Sequence, residues 1–335
     1  MILKIIIPRM AFACVCWVVL STNSFAQEKL SGVVYFDYTN NNGNNAAVSS
    51  EFEIRRVYFT FEKKLSSDMK YKFQMDAGRL KHDDDNEKIF AYIKKAYISW
   101  HAAVGDITLG IQGMNIFSTQ EKTWGYRFIE KSPMDRHKFS SSADLGIGYA
   151  NKFGKNYHYS VIYSNGSGYA KPEFDDYKKL SGLILFGESA LNKKDGFNAG
   201  LSFSYEPFDN EVSTDNIIKE NRSVFSLFSG YSKGAMRVGI EIDNRMTSGE
   251  APTERIVGFS TNYDLSEHTS IFVYYDNFDE DTDMDIGSLN YLILGSIHQI
   301  GDGLRIAPNV RLNWQGGSSS EESTTVYNVN FEFKY

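Results

Sequence analysis

A period of two, apolar then polar, runs through nearly the whole chain and limits what it can fold into more than any other feature. Tyr71, Phe73, Met75 and Ala77 alternate with Lys72, Gln74 and Asp76, which gives an extended strand one apolar and one polar face. The same pattern places strands near 30–38, 52–64, 69–79, 92–101, 106–115, 142–151, 157–164 and 180–189, then 197–206, 222–231, 235–246, 255–263, 269–277, 288–298, 304–313 and 324–335, sixteen in all. Two stretches, SGLILFGES in the eighth strand and LNYLILGSI in the fourteenth, alternate poorly. Beyond residue 26 the longest obvious apolar run is the four residues Leu183–Phe186, against the ~20 that a membrane helix requires.

The connections alternate in length. Segments 66–68, 102–105, 152–156 and 232–234 are short, whereas 39–51, 116–141 and 207–221 are long. That rhythm is expected of an all-β transmembrane antiparallel barrel with short periplasmic turns and long extracellular loops. A soluble β-sandwich also has many short strands, but its core would favour Val, Ile and Leu. Here the candidate outward rows are dense in rings, drawn from 21 Tyr, 24 Phe and 4 Trp, as at lipid interfaces. The same aromatic load excludes a disordered chain. Sixteen spans of about ten residues leave ordinary connections in residues 27–335, where eight spans would leave implausibly long ones.

Lys4 and Arg9, the apolar stretch Met10–Leu20 and the small-x-small sequence Ser24-Phe25-Ala26 make residues 1–26 an expected cleavable signal peptide and 27–335 the barrel. Both cysteines, Cys14 and Cys16, lie in that leader, so an exported chain would hold no thiol, disulfide or cysteine metal site. Loss of Lys4 and Arg9 changes the formal net charge from −7 to −9. With no block of five or more Lys and Arg, a nucleic-acid groove is excluded, because phosphate neutralisation needs clustered cations.

A closed barrel of this strand number is too wide for side chains to fill and encloses a water-filled channel. With the aromatic rows turned outward, Arg56, Lys72, Lys95, Arg237, Arg305 and Arg311 are the expected pore-wall cations, together with Lys70, Arg245 and Lys334. Asp37, Glu62, Asp76, Asp144, Glu241, Asp243 and Glu332 oppose them. Charges facing water are tolerated and shape the field a solute feels, whereas in a sandwich core they would be prohibitively costly unless paired.

Near the C-terminus Tyr327, Val329, Phe331, Phe333 and Tyr335 alternate with Asn328, Asn330, Glu332 and Lys334, which resembles the terminal strand of bacterial outer-membrane barrels. The RRVYFTFEKKL and YKFQMDAG hairpin, AYIKKAYISW before DITLGIQG, APNVRLNW, and the long third loop Ile116–Ser141 resemble the phosphate-selective porin O and P family. The resemblance implies a homotrimer in the outer membrane of a Gram-negative bacterium, surrounded by lipid and lipopolysaccharide, passing small hydrophilic or anionic solutes without a cofactor. It also implies that 116–141 folds inward and narrows the pore. Lys122, Arg127, Lys131, Arg136 and Lys138 there outnumber Glu121, Glu130 and Asp135 by two, and an excess of cations at a constriction favours anions. A clear ladder of arginines and lysines, however, is missing. Trp124, Tyr126 and Phe128 are expected to pack this loop against the wall.

Other constellations carry less. The acidic stretch with Asp279, Asp281, Asp283 and Asp285 puts Ile286 and Leu292 where a calcium loop needs Gly and Glu, so it reads as a solvated loop, as does Asp83-Asp84-Asp85. The histidines, 82, 101, 137, 158, 268 and 298, sit in no nucleophile-elbow or zinc-helix pattern, and no helix is evident to carry a phosphate loop. The expectation is a diffusion channel, with a non-conducting structural or adhesive barrel and a rim hydrolase as alternatives.

Overall fold

The computed structural model describes residues 28–41, 50–79, 89–173, 175–213, 216–249, 251–284, 287–316 and 323–335. The expected signal peptide with its two cysteines, the Asp83–Asp85 run and Asp285 lie outside them. Strands are β1 (Glu28–Asn41), β2 (Ser50–Lys64), β3 (Met69–Arg79), β4 (Ile89–Ala102), β5 (Gly105–Gly113), β6 (Ala143–Phe153), β7 (Tyr157–Ser164) and β8 (Lys179–Gly187), followed by β9 (Gly196–Ser213), β10 (Asn216–Lys233), β11 (Met236–Thr247), β12 (Glu254–Ser266), β13 (Thr269–Asp279), β14 (Leu289–Gln299), β15 (Leu304–Gln315) and β16 (Thr324–Lys334). Each pairs antiparallel with its sequence neighbours, and β1 pairs with β16 from Val33 opposite Lys334 to Asn41 opposite Val326, which closes a sixteen-stranded barrel. Closure leaves no unpaired edge. Among the described residues no helix is long and apolar enough to cross a membrane, and β-strands meet that need once closed.

The two faces sort as the alternation requires. Ile147, Ile184, Leu201, Leu227, Ile240 and Ile271 are exposed on the outside. Exposed rings stand beside the short turns, at Trp100, Phe153, Tyr157, Phe197, Tyr231 and Tyr263, and again towards the long connections, at Phe52, Phe90, Tyr163, Tyr205 and Tyr327. An aliphatic band between two aromatic girdles suits a bilayer. At the seam Phe36 stacks on Phe331 with ring centroids 4.5 Å apart.

The connection between β5 and β6 does not project outward. It turns into the barrel, forms two short helices, α1 (Ser118–Trp124) and α2 (Pro133–Arg136), and packs on the inner faces of β10, β11 and β12. Strand periodicity gave no sign of these helices. Gly125 ends α1 in the left-handed conformation (φ 77°), its N–H donating to the Glu121 carbonyl at 2.8 Å, and Pro133 starts α2, where a missing N–H costs nothing. Inward-facing glycines make the close approach possible. A Cβ on Gly239 would stand 2.7 Å from Thr123 Cγ2, and one on Gly258 would stand 2.9 Å from Pro133 Cγ.

One expected long connection is absent. Residues 207–213 and 216–221 continue the β9 and β10 strands, with Glu206 opposite Arg222 and Asp209 opposite Lys219. Pro207 and the Asp and Asn residues after it suggest a turn, but cross-strand pairing of opposite charges and the Arg222 guanidinium 4.8 Å from the Phe208 ring hold the segment extended.

Candidate functional site

Where the inward loop meets the wall it is bound in two apolar patches. Trp124, Tyr126, Phe128 and Ile129 join Phe272, Tyr274, Tyr291, Ile293, Ile297 and Ala307 from β13, β14 and β15, with Trp124 5.1 Å from Tyr274 and 5.8 Å from Phe272 between ring centroids. Met114, Ile116, Phe117, Met134 and Phe139 join Ile162, Val224, Ile256 and Phe278. Polar contacts then fix the loop's position. Asn115 donates to the Ser160 hydroxyl at 3.0 Å, Gln120 to the Ser226 hydroxyl at 3.0 Å, and Trp124 Nε1 to the Glu130 carbonyl at 2.9 Å.

Several expected pore cations are committed to holding the loop. Arg311, buried, donates to the Ile129 carbonyl at 2.9 Å and to the Glu130 carboxylate at 3.3 Å. Arg237 donates to the Trp124 carbonyl at 3.1 Å and lies over the Tyr126 ring. Arg305 is paired with Glu332 and lies over Tyr126 and Phe128. Arg136, expected at the constriction, instead turns to β13, where it donates to Asp276 at 2.9 Å and covers Tyr291. Lys138 is exposed, with φ 57°, and contributes its backbone carbonyl to Arg245 at 3.0 Å. Lys72 pairs with Glu62 at 2.8 Å lower on the β2–β3 wall.

Because the loop fills the side of β7–β15, open space remains against β1–β5. Two cavities lie there. The one nearer the long connections, about 370 Å³, is lined by Tyr35, Glu53, Ile54, Arg55, Arg56 and Arg127–Lys131. The one nearer the short turns, about 330 Å³, is lined by Val33, Tyr35, Tyr58, Gln74, Lys94, Lys95, Gly113, Met114, Phe117, Ser118, Glu121, Lys122, Arg127 and Ser142. Tyr35 and Arg127 belong to both, so the cavities flank one narrow point.

Two β-bulges shape this wall. Register slips between Tyr35 and Phe36, where Arg56 is followed by Ile54 as partner, and between Gln74 and Met75, where Lys95 is followed by Ile93. The extra residues, Arg55 and Lys94, therefore point inward beside Arg56 and Lys95 rather than outward. Neither Arg55 nor Lys94 was expected from strict alternation, yet the apolar row changes phase at each pair: Phe52 and Ile54 give way to Val57 and Phe59, and Ile93 gives way to Ala96 and Ile98.

Seven cations line the two cavities against the three carboxylates Glu53, Glu121 and Glu130, but most are paired. Arg55 pairs with Asp37 at 3.5 Å, and fully buried Asp76 takes both Arg56 at 3.0 Å and Lys94 at 3.4 Å. Arg127 pairs with Glu121 at 3.1 Å and with Asp135. Burial alone would lower its pKa, but Glu121 and Asp135 outweigh burial and raise it well above the ordinary value. Among the described residues Lys95, Lys122 and Lys131 have no ion-pair partner. Burial pulls the Lys131 ammonium below the usual lysine value. Lys122, Arg127 and Lys131 from the loop thus converge with Lys95 and Arg56 from the wall, whereas Arg136, Lys138, Lys72, Arg237, Arg305 and Arg311 do not.

The sequence profile of the phosphate-selective porin O and P family matches residues 29–179, from β1 to the start of β8, so the resemblance extends over the stretch that lines both cavities. No curated protein matches the chain. Among solved structures it is similar to OmpT of Vibrio cholerae, an outer-membrane protein (TM-score 0.64, 11% identity, 94% of this chain and 99% of that one). It is also similar to an anion-selective porin from Comamonas acidovorans (0.63, 12%, 92% and 100%) and to the outer-membrane channel DcaP of Acinetobacter baumannii (0.63, 10%, 94% and 99%). At such identities the likeness establishes the fold, a closed sixteen-stranded antiparallel barrel.

Proposed function

We propose that this chain is an outer-membrane channel through which small hydrophilic solutes diffuse passively, with a preference for anions set between the inward loop and β1–β4. The observation that carries the reading is the set of three unpaired lysines, Lys95, Lys122 and Lys131, lining the two cavities on either side of Arg127. Once the internal ion pairs are cancelled, these charges remain to act on a solute, and they act where little water is present to screen them. No covalent step and no cofactor is needed.

Residues 1–26 serve in this reading as the export signal, and the girdled exterior contacts lipid and lipopolysaccharide in the outer membrane of a Gram-negative cell. A homotrimer is proposed on the family resemblance and on the trimer form of the similar V. cholerae protein. The full mature chain in a planar bilayer tests the function: stable conductance steps with a reversal potential on the anion side across a KCl gradient are expected. A reversal potential on the cation side overturns the anion preference, and a folded barrel without steps overturns the channel.

A further inference from the structure

The lower cavity differs from the upper one in chemistry. Lys95 and Lys122 enter it without ion-pair partners, and beside the paired Arg127 and Glu121 its lining includes an apolar part made of the rings of Tyr35, Tyr58 and Phe117 with Met114 and Val33. Lys94, the bulge neighbour of Lys95, is held back, with Nζ 3.4 Å from Asp76, 3.1 Å from the Tyr58 hydroxyl and 4.8 Å from that ring's centre. The bulge therefore divides labour between two adjacent lysines. One neutralises a buried acid and the other is left for a solute. Space for the free one is provided by Gly113, where a Cβ would come within 3.4 Å of Lys95 Nζ.

We infer that this cavity is a binding site for a singly charged organic anion, a carboxylate with a compact apolar body. The inference rests on the channel reading above and goes further by naming the solute class. A cavity of about 330 Å³ is far larger than one water's share of about 30 Å³, so a bare oxyanion would rattle in it or keep its water. A carboxylate in this cavity can pair with Lys95 or with Lys122, both in its lining, with Gln74 and Ser118 there as further donors. Its hydrocarbon part then displaces water from ring and thioether surface, which a purely inorganic anion cannot do. Glu121, also in the lining, shares the single guanidinium of Arg127 with Asp135, so this cluster keeps one net negative charge, which penalises dianions and polyanions.

The test uses the full mature chain in planar bilayers in KCl, with benzoate, acetate and inorganic phosphate as probes. Benzoate is expected to reduce the KCl current saturably at a concentration about tenfold or more below that needed for acetate, since apolar contact of this size discriminates by such factors. Phosphate should resemble acetate or be weaker. Lys95→Gln and Lys122→Gln should each raise the benzoate requirement about tenfold, the loss of a charge-assisted contact. Equal potency of benzoate and acetate on the unmodified protein overturns the site, whatever the variants do. Unchanged benzoate block in both variants overturns it as well, and conductance with anion preference would then still stand for the channel. If the folded barrel conducts nothing, equilibrium dialysis of benzoate and acetate against the detergent-solubilised barrel decides the site separately: preferential benzoate binding supports it and equal binding overturns it.

Discussion

Arg311 on β15 and Glu130 in the inward loop, 181 positions apart in sequence, meet inside the barrel with Nη1 3.3 Å from Oε2. Tyr291 donates to the same carboxylate oxygen at 2.9 Å. The contact spans from one half of the chain to the other and holds the middle of the loop to the wall. Removing one partner leaves a buried charge uncompensated, which costs about 3 kcal/mol or more. Glu130→Gln and Arg311→Gln are each expected to lower the thermal midpoint and to increase open-channel current noise. The double variant should recover part of the loss, and strictly additive losses would show that the pair does not act as a unit.

The same carboxyl gives a pH dependence. Burial alone would raise its pKa, but Arg311, then Arg136, outweigh burial and hold it below the ordinary 4.5. A depressed folded value means that the contribution is fully present above the unfolded value and is lost as pH falls through the folded one. The loop should therefore stay fixed at neutral and mildly acidic pH and loosen only once pH falls below the ordinary glutamate value. Current noise recorded down a pH series checks this; loosening between pH 6 and 7 would contradict it.

Charge reversal at the unpaired lysines should alter selectivity without dismantling the loop. Lys95→Glu combined with Lys131→Glu is expected to shift the reversal potential towards cations, with the protein still inserting normally. Reversal of Arg127 is a poorer test, because it also breaks the contacts to Glu121 and Asp135. An unshifted reversal potential in the lysine double variant would remove the basis for anion preference.

Gly239→Val places a branched side chain where even a Cβ stands 2.7 Å from Thr123. Overpacking of this kind costs about 1–3 kcal/mol. Displacement of α1 towards β1–β4 is the expected result, read as a smaller single-channel conductance. The neighbouring Ile240→Val, on the exposed outer face, should leave conductance unchanged.

On the outside, Phe331→Arg would put a cation beside Phe36 on the bilayer-facing side of the seam. Mid-membrane cations on this face cost about 2–4 kcal/mol, so reduced levels of heat-modifiable barrel in the outer membrane are expected. Normal levels would mean that this face does not meet lipid.

Strand number, order and facing were legible because lipid outside and water inside impose alternation on every span. Where alternation faded, the inner face packs against protein instead of facing water. In β14 the inward Tyr291, Ile293 and Ile297 cover the loop's aromatic rings, and in β8 the inward Leu183 and Leu185 pack with Phe228 of β10. Both faces of these strands are apolar because neither meets bulk water. The partition of the expected cations was not legible, since Arg237, Arg305 and Arg311 have the same strand parity as Arg56 and Lys95. Only the path of the loop decides which of them a solute can reach. The bulges were legible in principle, as the change of phase at Arg55-Arg56 and at Lys94-Lys95.

All residues lining the two cavities fall between Val33 and Ser142, while most of the wall on which the loop rests comes from later strands. The chain is thus divided along its length into a stretch that lines both cavities and a stretch that acts as scaffold. A graft of residues 29–179 onto another sixteen-stranded frame would carry the lining of both cavities as one contiguous cassette. The scaffold half can diverge so long as it keeps the glycines and rings that seat the loop.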